Sequence, residues 1–150
     1  MRTILVGVDD SEASERVVTF VNHFFGGLDV HVLGMSVGRL PIAFVPGGMG
    51  EGAAFAWPAM TVVADSTGAV DVEPHLAAAA ERVETSGLVE DEVVTAVGDP
   101  AAKLCQAAAE HHADLIVVGA SHKGLFGRLL EGSVEKQVQR DAPCPVLVVP

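Results

Sequence analysis

The chain has 150 residues, 49% of them apolar, with a mean hydropathy of +0.40, which places it among globular sequences and excludes a disordered one. Its acids outnumber Lys and Arg by 20 to 9, leaving a net charge of −11, so unaided binding to nucleic acid or to an anionic membrane is not expected. Length alone points to one domain, 1–150, large enough to bury a core.

Cys105 and Cys144 lack a C-x-x-C spacing and are expected to be two buried free thiols. Met1-Arg2-Thr3 leads straight into an apolar run, so no secretory leader is expected. The longest apolar patch, Ala53 to Ala64, is short and carries Pro58, so it does not span a bilayer. A cytoplasmic location is the resulting expectation.

Thr3 to Val8 is a continuous apolar run, the pattern of a central parallel strand covered on both faces. Asp9-Asp10-Ser11 follows, with Asp10 or Ser11 as helix cap and Glu12 and Glu15 in the first turn, where the dipole favours acids. Ala13, Val17, Phe20/Val21 and Phe24 recur at helical spacing until Gly26-Gly27. A second strand is predicted over 30–37. Residues 38 to about 70 are apolar but broken by glycine and proline, and no regular element is predicted there. Such a segment is a lid, a dimer contact or a flap packed on the core, the last two being favoured. Gly48-Met-Gly50-Glu-Gly52 is not a dinucleotide fingerprint, since it follows no clear strand and opens no helix.

A helix is predicted over 71–86, with Leu76, Ala79, Ala80 and Val83 on its inner side, and a third strand over 92–97. Asp99-Pro100 is a helix start, an acid at the N-cap and proline in the first turn, and Ala101, Leu104, Cys105 and Ala108 face inward. His111-His112 close that helix; an adjacent pair is not metal-ligand spacing. Leu115 to Val118 is the fourth strand. It opens into a loop with glycines at 119, 124, 127 and 132, and Ser133 begins a helix to about Arg140. Val146 to Val149 is the last strand. Strand, glycine-rich loop and helix N-terminus together form a device for holding phosphate, because glycine admits close approach and free N–H groups point at the anion.

The alternation predicts an α/β layer sandwich with a mostly parallel sheet and right-handed crossovers. Ligands in such sheets sit beyond the carboxyl ends of the strands where strand order reverses, so the loops at Asp9 to Ser11 and Gly119 to Ser133 are expected to meet.

At these residues the sequence resembles the universal stress protein family over nearly its full length. The matching pieces are Ile4 to Ser11, Gly98-Asp99-Pro100, Ala113 to Gly119, Leu129 to Val134, and Ala142 to Val149, in the family's order and spacing. The resemblance implies a three-layer α/β/α sandwich of the adenine nucleotide alpha hydrolase-like, Rossmann-like kind, with five strands in the order 3-2-1-4-5. It also implies a small stress-response role without settled catalysis, and a homodimer paired through the last strand, Val146, Leu147, Val148 and Val149.

ATP binders of this family look like G-x-x-G-x9-G-(S/T). Gly119, Gly132 and Ser133 occupy three of those positions, and His122 stands at the second glycine. Carried over residue by residue, Gly7, Val8 and Asp9 meet the adenosine part and Met35 lines the adenine pocket. Gly119, Gly132, Ser133 and Val134 surround the phosphates, and Val118, Ser121 and His122 complete the site. ATP, with or without Mg²⁺, is the cofactor so implied. Three readings of His122 stay open. It narrows the cradle at a cost of roughly a kcal/mol, it donates to phosphate beside Ser121 and Lys123, or it contacts nothing.

Three rivals fit less well. A phospho-acceptor receiver domain accounts for Asp9-Asp10, but no lysine closes the last strand. Gly119 to Gly124 has P-loop spacing, yet Leu125-Phe126 replace the Lys-Ser/Thr pair. Ser121-His122 has no orienting third group, so no enzyme activity beyond slow, incidental ATP hydrolysis is expected. The serious alternative is a dimeric module that binds no nucleotide and uses the apolar residues of 40–60 as a protein contact surface.

Overall fold

The apolar run at the front of the chain becomes β1, Arg2–Gly7, and it lies at the centre of the main sheet. The computed structural model describes residues 1–38, 42–45, 59–62, 71–120 and 134–150. After β1 come α1 (Glu12–Phe25), β2 (Val30–Gly38), the short strands β3 (Ile42–Val45) and β4 (Ala59–Val62), and α2 (Glu73–Glu84). Then follow β5 (Glu92–Val97), α3 (Pro100–Glu110), β6 (Leu115–Gly119), α4 (Val134–Asp141) and β7 (Val146–Val149). The main sheet runs β5-β2-β1-β6-β7 with every pairing parallel. Counting only its own strands, that is the expected order 3-2-1-4-5.

Alternation along the strands divides the core into two layers. Ile4, Val6, Val32 and Val117 pack with Val17, Val18 and Val21 of α1 and Val83 of α2. Leu5, Leu33, Met35, Ile116 and Val118 pack on the other side with Ala101, Leu104, Ala107 and Ala108 of α3 and Val138 of α4. Helices therefore cover both faces, and the continuous apolar character of β1 follows from having no solvent side. α2 approaches β2 closely because Gly34 has no side chain; a Cβ there would lie 2.5 Å from Val83 Cγ1.

The helix starts follow local chemistry. Ser11, not Asp10, caps α1, its hydroxyl accepting from the Ser14 N–H. Asp99 caps α3, accepting from Ala102 N–H at 2.8 Å, with Pro100 in the first turn. α3 gives way to His112 in the left-handed region at φ 52. α2 starts two residues later than expected, at Glu73, because Val72 offers no capping side chain; Asp71 instead accepts from the Glu73 N–H.

Two expectations need correction. The 38–70 segment is not without regular structure, since β3 and β4 pair antiparallel from Ile42 opposite Val62 to Val45 opposite Ala59. The strand-forming runs Ile42 to Val45 and Met60 to Val62 are too short to stand out among the surrounding glycines and prolines. Gly48 to Gly52 lies outside the described residues. Phe24 does not face the core: it is 58% exposed and stacks on Phe20 with ring centroids 4.4 Å apart. Along α1 the inner stripe passes instead through Val17, Val18 and Val21.

Cys105 and Cys144 are free and half-buried, against the same core layer. Burial raises the Cys105 thiol above its ordinary value, with smaller contributions from Asp141, Cys144 and Asp99. Burial also raises Cys144, helped by Asp114 and partly offset by a hydrogen bond with the Ile116 backbone. The thiolate is thus disfavoured in the native state. Stability from this source is complete below the unfolded thiol value, about 8.5, and is lost as pH rises through the higher native ones. Native protein at pH 8 is expected to react with iodoacetamide about tenfold more slowly than denatured protein. Equal rates would show thiols that are open and ordinarily acidic.

Candidate functional site

Strand order reverses between β1 and β6, and a cleft opens there at the carboxyl ends of the strands. Gly7, Val8 and Asp9 line it from the end of β1, Met35 from β2, Val118 and Gly119 from β6, and Val134 from the start of α4. The structure therefore brings these sequence-assigned residues together. Ser121, His122, Gly132 and Ser133 lie outside the described residues.

The floor is apolar. Met35, Val37, Leu104 and Val118 form it, and a side chain at Gly7 would enter the same space, its Cβ 3.2 Å from Val118 Cγ1 and 3.5 Å from Leu104 Cδ1. A flat heteroaromatic ring is the kind of group such a floor accepts. Val37, Pro100 and Leu104 were not assigned from the sequence. Their signal was indirect: β5 pairs with β2, so the helix that Asp99-Pro100 starts opens beside the end of β2.

One wall is the turn from β1 into α1. The Asp9 N–H donates to Ser14 Oγ at 3.0 Å, and the Ser11 N–H donates to Asp9 Oδ1 at 3.0 Å. The Ser11 hydroxyl donates to the same Oδ1. Asp9 is thus fixed through one carboxylate oxygen, while Oδ2 meets no donor among the described residues and is left for a hydroxyl or amine of a ligand. Ser11, Ala13 and Ser14 also line the cleft and were missed as site residues, because their visible task in the sequence was helix capping.

The opposite wall is the first turn of α4, where Glu135 lines the cleft beside Val134. The Oε2 oxygen of Glu135 is shielded from solvent and meets no hydrogen-bond donor among the described residues. Nearby, Arg82 of α2 forms an ion pair from Nε to Asp10 Oδ2 at 3.0 Å and donates through Nη1 to Ser36 Oγ at 2.7 Å. Ser36 is buried, so this bond satisfies its hydroxyl and ties α2 to β2, while the ion pair with Asp10 ties α2 to the turn beside Asp9.

The donors and the apolar floor fit an adenine nucleotide. Ring burial, an acceptor at Asp9 and a helix N-terminus facing the same space are all present. Among the described residues no group of three or more His, Cys, Asp or Glu side chains is arranged to hold a metal.

The family model described as Universal stress protein family matches residues 1–150. A universal stress protein of Thermus aquaticus is 40% identical over 70 residues, which is 47% of this chain and 51% of that protein. The chain thus spans about half the length of that relative. Among solved structures, a universal stress protein in complex with cAMP is 26% identical with a TM-score of 0.58, covering 99% of this chain and 95% of the other. The universal stress protein UspA from Lactobacillus plantarum is 21% identical with a TM-score of 0.62, covering 99% and 97%. The second likeness is one of fold.

The α1 wall meets the end of β6 at Gly119. A Cβ at Gly119 would lie 2.7 Å from Ala13 Cβ and 2.9 Å from the Ala13 carbonyl oxygen, so backbone would have to move. Gly119→Ala is expected to cost about 1–3 kcal/mol in urea unfolding. Gly27→Ala, where a Cβ meets nothing within 4 Å, is expected to stay within about 0.5 kcal/mol of the parent. Equal stability of the two variants would show that β6 and α1 are not in contact as described.

Proposed function

Because the chain belongs to the universal stress protein family, we propose that its cleft binds an adenine nucleotide, ATP included, and that the protein acts as a cytoplasmic stress-response module rather than an enzyme. The observation that carries this reading is the convergence of Asp9, the apolar floor and the first turn of α4 at the strand-order reversal. The cAMP complex of the relative in the same fold supports an adenine ligand. Met35, Val37 and Leu104 would bury the adenine ring, and Asp9 would accept from the sugar or the exocyclic amine. The α4 N-terminus, with Gly119, Gly132, Ser133 and Val134, would face the phosphate. Mg²⁺, when bound with ATP, would neutralise phosphate charge.

A binding role is supported by the tasks of the cleft's hydroxyls. Ser11 and Ser14 are engaged in the cap: the Ser11 hydroxyl donates to Asp9 while accepting from the Ser14 N–H, and the Ser14 hydroxyl accepts from the Asp9 N–H. Self-association through β7 is part of the proposal. It is supported by the position of β7 at the edge of the main sheet, where among the described residues one side of the strand has no neighbour in the sheet.

Titration calorimetry with AMP, and with ATP plus Mg²⁺, tests the binding. Heat and a thermal shift are expected, and Asp9→Ala should weaken affinity about tenfold, or about 1.4 kcal/mol. Ser133→Ala and Gly132→Val should weaken it as well; if binding persists untouched, the phosphates lie elsewhere. No heat and no thermal shift at millimolar ligand would leave the family role to protein contacts. For the edge strand, sedimentation of Val148→Lys is expected to give monomer where the parent gives dimer. Unchanged association would place the contact elsewhere.

A further inference from the structure

We infer that Glu135 is a specificity-determining residue that penalises the cleft's ligand according to its phosphate charge; this rests on the adenine-nucleotide reading of the same cleft. Two carboxylates, Asp9 and Glu135, line the cleft, and no Lys, Arg or His does so among the described residues. Glu135 sits in the first turn of α4, where a helix offers partial positive charge to an anion. Its own carboxylate already takes advantage of that charge and so competes with a phosphate for it. The Oε2 oxygen is shielded from water and meets no donor among the described residues, so its charge is little screened there.

The overall charge of the chain acts in the same direction. The net charge is −11, so an approaching anion meets a repulsive field before it reaches the cleft. A ligand with one phosphate charge bears this best. A triphosphate bears it worst, unless a divalent cation enters with it and reduces the charge that Glu135 faces.

Affinities of cAMP, AMP and ATP for the parent, Glu135→Gln and Glu12→Gln, each with and without Mg²⁺, test the inference. Glu135→Gln keeps the size of the side chain and removes its charge. It is expected to tighten metal-free ATP about tenfold, AMP about threefold and cAMP less than about twofold, an order set by ligand charge. Mg²⁺ should shrink the gain for ATP. Glu12→Gln removes the same charge from an exposed place on α1 outside the cleft lining and should give no charge-ordered gain. Equal factors for the three ligands, no change, or weaker ATP binding in Glu135→Gln would overturn the role of Glu135 while leaving nucleotide binding in place. If none of the three ligands binds any of the proteins, the adenine-nucleotide reading falls, and the role of Glu135 falls with it.

Discussion

The turn at the end of β1 is held by a small knot of hydrogen bonds on which the cleft depends. The Asp9 N–H reaches Ser14 Oγ, the Ser11 N–H and hydroxyl reach the Asp9 carboxylate, and the Ser14 N–H returns to Ser11 Oγ. These bonds cap α1, satisfy a serine that is only 6% exposed, and hold Asp9 by one oxygen with the other left over. A cap is worth about 1 kcal/mol in stability. Here the same atoms also orient the carboxylate, so folding and site geometry cannot be changed independently at this turn. Arg82 braces it from α2 through Asp10, although the Asp10 carboxylate is largely solvated and the pair's electrostatic value is modest.

Close packing across the sheet does the rest of the positioning. Gly119 lets the end of β6 meet the first turn of α1, and Gly34 lets α2 settle onto β2. In each case the missing side chain is replaced by a named neighbour, Ala13 or Val83. These contacts seat α1 against β6 and α2 against β2. Apolar burial in the two layers supplies most of the stability, since Leu5, Val6, Val17, Leu33, Ile116 and Val117 are all fully buried. The cleft is the place where that packing stops, at the reversal of strand order.

Features governed by neighbours in the chain were legible in the sequence. The runs of β1, β6 and β7, the Asp99-Pro100 start and the cap at Ser11 each rest on chemistry within a few residues. The strand order was legible only through family resemblance, whereas the meeting of the Asp9 and Gly119 loops followed from the rule that ligands sit beyond the carboxyl ends of such strands. Periodicity assigns a residue to a face but does not say which element lies beside it. Val37, Pro100 and Leu104 reach the cleft by lateral adjacency, and so they escaped. The β3–β4 pairing escaped for a different reason: four-residue strands carry too little pattern to outweigh glycine and proline around them. Phe24 misled because helical spacing marks a stripe about 100° wide, and its edge falls between Val21 and Phe24.

The charge of the cleft sets it apart from a generic phosphate-holding device. A strand, a glycine-rich loop and a helix N-terminus attract anions of any size, and by that pattern alone a triphosphate should be the best ligand. This chain places Glu135 in the helix's first turn and Asp9 across from it, on a protein that is already strongly acidic. Backbone amides favour the anion while two side chains oppose it. The apolar floor is indifferent to phosphate number, so it contributes equally to each adenine ligand. For the proposed adenine ligands, discrimination is set at the charged end, where among the described residues helix amides and carboxylates act in opposite directions. The backbone pattern that defines the fold fixes the first of these terms, and the choice of side chain at position 135 adjusts the second.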